Sequence, residues 1–201
     1  TLLLLTFPAW LLGCEEEKPG ATTGDSDGLT AVVDATADFC AAFKPQAAHF
    51  AAQGREQELQ DLIAYIKTNH PQHLVILDAK RGDIGSTADQ YAHEAFTRYQ
   101  ADAVTLSPFM GFDTMEPFLK YPGKGVILLC RTSNPGGSDL QNLRLADIEG
   151  QPRVYEHIAK QRAPRVHDQG QIPTQRTESL SPVLELLKHL VAEATPAADR
   201  V

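Results

Sequence analysis

An α/β protein built on a parallel sheet, closing toward a barrel of the (β/α)8 type, is the fold class that the sequence predicts. Three observations carry that reading. Short apolar runs suited to buried strands start near residues 39, 74, 103 and 125, and helical patterns separate them. Repeats of this kind join through right-handed crossovers, which makes the strands parallel. Polar residues then fall at successive strand ends: Lys44, Asp78 with Lys80, Ser107 and Ser133. A barrel of this class collects its reactive groups there. Pattern alone also admits an open doubly wound sheet, and the polar strand ends favour the barrel. Four strands are read where an intact barrel needs eight.

Taken in order, residues 1–14, TLLLLTFPAWLLGC, are apolar but too short to span a bilayer. Leu11-Leu12-Gly13-Cys14 is similar to a bacterial lipoprotein cleavage site. No Lys or Arg precedes Lys18, so the basic opening of an export signal is absent, and a miscalled or truncated gene start is the preferred reading. Residues 15–28, rich in Glu, Gly, Thr and Asp, read as a flexible linker. Order is expected from about Leu29. A helix runs there into a strand, Phe39 to Phe43, which Lys44-Pro45 ends because proline cannot donate to a ladder. The next helix reaches about Asn69, with Leu59, Leu62, Ile63 and Ile66 on one face.

The central stretch is LVILDAKRGDIGSTADQYAHEAF, residues 74–96. Its apolar opening reads as a buried parallel strand. Asp78 and Lys80, two residues apart, are expected on the same face at the carboxyl end. Arg81-Gly82-Asp83 turns the chain, and Ser86 is expected to cap a helix with apolar positions Ala88, Tyr91, Ala92, Ala95, Phe96 and Tyr99. A strand at Ala103–Leu106, a short helix around Thr114–Lys120 and a strand at Gly125–Cys130 follow. The loop Arg131-Thr132-Ser133-Asn134-Pro135-Gly136-Gly137 then offers backbone N–H groups and a hydroxyl at a strand's end. It is also strong turn chemistry in its own right. Beyond about residue 163 the rhythm fails, apart from an amphipathic helix expected at 182–193.

A chain of 201 residues, 42% hydrophobic and 22% charged, is long enough for one sizeable core. A net charge of −8 argues against nucleic acid or an anionic membrane as partner. The three cysteines, Cys14, Cys40 and Cys130, suit reduced thiols of a cytoplasmic protein and form no disulfide framework. The seven histidines show no metal-ligand spacing, so no metal site is read.

Four stretches together resemble one family. They are VDATADFCAAFKPQAAHFAA (33–52), LDAKRGDIGSTADQYAHEAF (77–96), DAVTLSPFMGFDTMEPFL (102–119) and GKGVILLCRTSNPGGSDLQNL (123–143). The family is orotidine 5′-phosphate decarboxylase, in its bacterial branch with the D-A-K-R-G-D-I-G-S-T-A string. The resemblance implies a homodimeric barrel that converts orotidine 5′-phosphate to UMP without metal or organic cofactor. Carried over, it makes Lys80 the proton donor to C6 and places Asp78 beside the departing carboxylate. Lys44 would bind the ribose and the neighbouring carboxylate. Asp83 would reach in from the partner subunit, with Ile84 and Thr87 lining the partner's site, and Ser133 would hydrogen-bond the pyrimidine ring. The alternative to all this for Asp78 and Lys80 is a structural ion pair at the barrel rim.

The resemblance has limits that set further expectations. No counterpart of the family's first strand is read in residues 1–30, and the last strands, with a glycine-rich phosphate loop and an arginine for the phosphate, are not read either. The barrel is therefore expected to lack its first and last strands. A decarboxylase core at 29–163 is expected between non-matching segments 1–28 and 164–201, read as foreign or frame-shifted sequence, and activity is expected to be poor. Two other functions fit the same residues: an inactive remnant or dimerisation partner of the family, and a magnesium-dependent sugar-phosphate lyase similar to hexulose-phosphate synthase.

Overall fold

The strands of the structure follow one another across the sheet in the order in which they follow along the chain. The computed structural model describes residues 3–6 and 25–160. In it β1 (Leu3–Thr6), β2 (Cys40–Lys44), β3 (Leu74–Arg81), β4 (Ala103–Leu106) and β5 (Gly125–Leu128) are all parallel. A doubly wound sheet reverses its strand order at a switch point. Among the described strands no reversal occurs, so right-handed crossovers carry successive helices to one side, as in a barrel wall.

One correction concerns the N-terminal segment. The place beside β2, expected to be empty, is taken by Leu3–Thr6, which pairs with Cys40–Lys44 through a register that shifts once. A parallel strand needs only a short apolar run with free backbone groups, and LLLT meets that requirement without any family motif. The other strands stand where the apolar runs put them, except that β5 ends at Leu128, before Cys130. The helix expected at 182–193 lies outside the described residues.

The helices are α1 (Asp25–Thr36), α2 (Ala47–Ala51), α3 (Glu56–Asn69), α4 (Gly85–His93), α5 (Glu116–Leu119) and α6 (Gly137–Gln141). On α3 the expected face is the buried one: Leu59, Leu62, Ile63 and Ile66 pack into the core with Phe43, Val75 and Leu77. A π-helical turn, Glu94–Arg98, prolongs α4 and keeps Ala95 and Phe96 on the side of Ala88 and Ala92. Ser86 does not cap α4. The chain enters that helix through the left-handed backbone of Gly85 (φ 54°), with Ile84 at the cap position, and this draws Ser86 into the first turn. Cys40 and Cys130 are free and half-buried, and burial pushes both thiols up from their ordinary pKa.

At the amino ends of the strands a buried carboxylate ties three of them together. Asp102 accepts the Val75 N–H at 3.0 Å and the Lys67 ammonium at 2.7 Å, and Lys124 lies 3.7 Å away. Groups at this end of a barrel serve stability, which leaves the other end for chemistry.

Ile63 is fully buried at the centre of the α3 face. Ile63→Ala is expected to destabilise the chain by about 2–5 kcal/mol through lost burial and the cavity left behind. Urea unfolding followed by circular dichroism measures it, and a change below about 1 kcal/mol would mean that α3 does not pack as described.

Candidate active site

Lys44 closes β2, and Pro45 follows it with no N–H to extend the ladder. The Pro45 carbonyl remains available, and it accepts the Asp78 N–H at 3.0 Å. This bond sets the ends of β2 and β3 side by side. The Lys44 ammonium then donates to Asp78 Oδ2, and the Lys80 ammonium donates to Asp78 Oδ1 at 2.6 Å. The Asp78 carboxylate, 3% exposed, thus holds two cations from two different strands.

Two further residues join the cluster that the sequence reading did not select. The Thr105 hydroxyl, on β4, donates to Asp78 Oδ1 at 2.9 Å. With its amide assigned so that the oxygen faces the ammonium, Gln46 accepts from Lys80 Nζ at 3.1 Å and donates to the Asp78 backbone carbonyl. Only the position of Gln46, just past a strand end, could have drawn attention to it. Threonine inside an apolar strand reads simply as a good strand former.

Burial by itself pushes the Asp78 carboxyl up, but the bonds from Lys44, Lys80 and Thr105, with the charge of Lys44, outweigh it and hold the group below the usual carboxylate range. Asp78 is therefore an anion between two ammonium groups, and the cluster carries a net charge of about +1. Lys44 is largely covered, whereas the Lys80 side chain is 48% exposed. Of the two ammonium groups, Lys80 is the more open to a ligand.

The remaining expected site residues lie apart from this cluster within the chain. Asp83 accepts the N–H of Ile84 at 2.8 Å, while Ile84 and Thr87 are exposed on the outside of the turn into α4. Ser133 is exposed on the loop after β5. That loop is held by Gln141, which accepts the Thr132 N–H at 2.8 Å and donates to Thr132 Oγ1 at 2.9 Å. Gly137 packs beneath it, where an added Cβ would lie 2.8 Å from Thr132 Oγ1. Arg81 is turned away from the cluster. Its guanidinium forks onto Glu94 at 2.9 to 3.1 Å and stacks 4.5 Å above the Tyr91 ring, clamping the end of β3 to α4.

The parallel (β/α) barrel wall thus brings Lys44, Asp78 and Lys80 together at adjacent strand ends. The chain belongs to the orotidine 5′-phosphate decarboxylase / HUMPS family, whose model matches residues 22–196. That match extends further at both ends than the 29–163 core read from the motifs. The chain is 65% identical over 146 residues to the orotidine 5′-phosphate decarboxylase of Methylibium petroleiphilum, covering 71% of this chain and 52% of that protein. It is 57% identical over 183 residues to that of Leptothrix cholodnii, covering 84% of this chain and 64% of the relative. The chain thus spans between half and two thirds of the length of these curated relatives. Among solved structures it resembles Leishmania donovani OMP decarboxylase, with a TM-score of 0.62, 41% identity and coverage of 68% of this chain and 53% of that one. It also resembles Leishmania donovani UMP synthase, with a TM-score of 0.66, 38% identity and coverage of 73% and 32%.

The depressed Asp78 pKa has a signed consequence for stability. Protonation is harder in the folded state than in the unfolded one, so this contribution is complete above the ordinary carboxylate pKa of about 3.9 and is lost as pH falls through the folded value. The difference in unfolding free energy between the parent and Asp78→Asn is expected to stay constant from about pH 7 to 5 and to shrink below about pH 4. Urea titrations across that range measure it, and a difference that widens on acidification would show that Asp78 is not held as an anion.

Proposed function

We propose that the chain decarboxylates orotidine 5′-phosphate to UMP, the last step of de novo pyrimidine synthesis, in the cytoplasm and as a homodimer. The observation that carries this reading is the half-exposed Lys80 ammonium, held 2.6 Å from a buried anion beside a second ammonium. Relatives named orotidine 5′-phosphate decarboxylase support it. Among the described residues no helix is long and apolar enough to cross a membrane.

The chemistry asks for this arrangement. When the bond from C6 to the carboxylate breaks, CO2 departs and the electron pair stays on C6, in the plane of the ring. The ring π system offers no sink for that pair, so a preorganised cation must stabilise it. The Lys80 ammonium supplies that charge and then transfers a proton to C6, and the neutral amine regains a proton from solvent. This route uses no metal or organic cofactor. Asp78 keeps Lys80 charged and aimed, and Lys44 faces the ribose and the substrate carboxylate. Repulsion between Asp78 and that carboxylate is relieved as CO2 leaves, but the greater effect is assigned to Lys80. Asp83, half-buried at the turn beside the exposed Ile84 and Thr87, acts in the partner's site, and Ser133 orients the pyrimidine. With a partner's Asp83 added, the cluster would be near neutral.

The test is steady-state decarboxylation of orotidine 5′-phosphate by the purified chain and its variants. Lys80→Ala is expected to lower kcat by at least about three powers of ten, or about 4 kcal/mol. Asp83→Ala should fall comparably, and mixing the two inactive variants should restore activity, because one site of each mixed dimer then carries both native residues. A Lys80→Ala rate within about tenfold of the parent would remove Lys80 from the reaction. No recovery after demonstrated subunit exchange would place Asp83 in its own subunit's site.

A further inference from the structure

We infer that Thr105 is a positioning residue for Lys80, its hydroxyl replacing the ladder bonds that the sheet loses where β3 bears the site. The inference rests on the decarboxylase reading for what Lys80 does, and on the backbone geometry alone for how Lys80 is held. Leu77 pairs with Val104 and Arg81 pairs with Leu106. Three residues of β3, Asp78, Ala79 and Lys80, therefore stand opposite the single residue Thr105 of β4. Extra residues in one strand interrupt the ladder and leave backbone groups without strand partners. Inside this irregularity Lys80 adopts a left-handed backbone, with φ 48°, a region that a residue with a Cβ enters only where its surroundings hold it.

Thr105 is what holds it there. Its Oγ1 accepts the Lys80 backbone N–H at 2.9 Å and donates its own proton to Asp78 Oδ1 at 2.9 Å. A hydroxyl has one proton, so with the carboxylate taking that proton and the amide taking a lone pair, its orientation is determined. The residue is 5% exposed, so water does not freely take its place. The far end of the irregular segment is also fastened. Ser107 N–H donates to the Arg81 carbonyl at 2.8 Å, and a Cβ added at Gly82 would lie 3.1 Å from Ser107 Cβ. The chain is thus pinned after Lys80 by β4 backbone and at Lys80 by one side chain. Removing that side chain's hydroxyl leaves both ammonium groups on Asp78 but frees the Lys80 backbone to change the direction in which its side chain leaves. The role therefore concerns the aim of the proton donor, not the binding of nucleotide.

Thr105→Val preserves shape and β-branching and deletes the hydroxyl, while Thr105→Ser keeps the hydroxyl. Thr105→Val should lower kcat for orotidine 5′-phosphate at least about tenfold with KM within about threefold of the parent, and Thr105→Ser should stay within about threefold in both. Equal kcat in parent and Thr105→Val, or equal damage by Val and Ser, would overturn the assignment. Amide hydrogen exchange at Lys80 tests the geometry independently of activity. The parent and Thr105→Ser should protect this amide, and Thr105→Val should exchange it at least about tenfold faster with its core amides unchanged. Equal exchange in all three would overturn the inference even if Lys80→Ala confirms the chemistry. Should Thr105→Val fail to fold, Thr105→Ala takes its place in both measurements with the same expected outcomes.

Discussion

The arrangement depends on one buried anion. A carboxylate removed from water is costly unless it is paired and hydrogen-bonded, and Asp78 meets that condition through Lys44, Lys80 and Thr105, on three neighbouring strands. The requirement works in both directions. Asp78 can remain ionised only if the ends of β2, β3 and β4 lie together, and two ammonium groups can share one small space only because Asp78 stands between them. The parallel, sequential sheet satisfies this by placing successive strand ends along one rim.

The rim is not regular, and its irregularity falls at Asp78 to Lys80. An undisturbed β3 would continue its ladder with β4 past Leu77, but the pairing resumes only at Arg81. The left-handed Lys80 inside that gap is held by groups on either side: the Pro45 carbonyl on the Asp78 N–H, Thr105 on the Lys80 N–H, and the Arg81 fork onto Glu94 beneath the turn. At the opposite end of the same strands, Asp102 pairs with Lys67 and fastens the start of β3. Rigid anchoring at both ends of the strands lets the stretch between carry local strain.

Which parts of this could be read from the sequence follows from whether the signal is local. The α3 face is a 3.6-residue pattern, so Leu59, Leu62, Ile63 and Ile66 were legible as a core stripe. Lys44, Asp78 and Lys80 were legible because each polar residue ends an apolar run. Thr105 and Gln46 were not, since their roles depend on the register between strands, and register is a non-local property. Gly85 overruled Ser86 as the entry to α4 through a backbone conformation that composition does not reveal. The leucines of β1 were read as part of an export-like or misread stretch because they carry no motif, although a short strand needs none. Ile84, Thr87 and Ser133 are exposed and Asp83 is half-buried in the single chain.

The central claim is that Lys80 moves a proton to and from C6 of the pyrimidine, and the most direct measurement runs that step backwards. Proton transfer is reversible, so a chain that protonates C6 in forming UMP also removes that proton from bound UMP. UMP incubated with the chain in D2O and followed by proton NMR reads this without any need for decarboxylation. The account predicts steady loss of the C6 proton signal with the parent chain and none above background with Lys80→Ala. Exchange at the same rate in both proteins would contradict it.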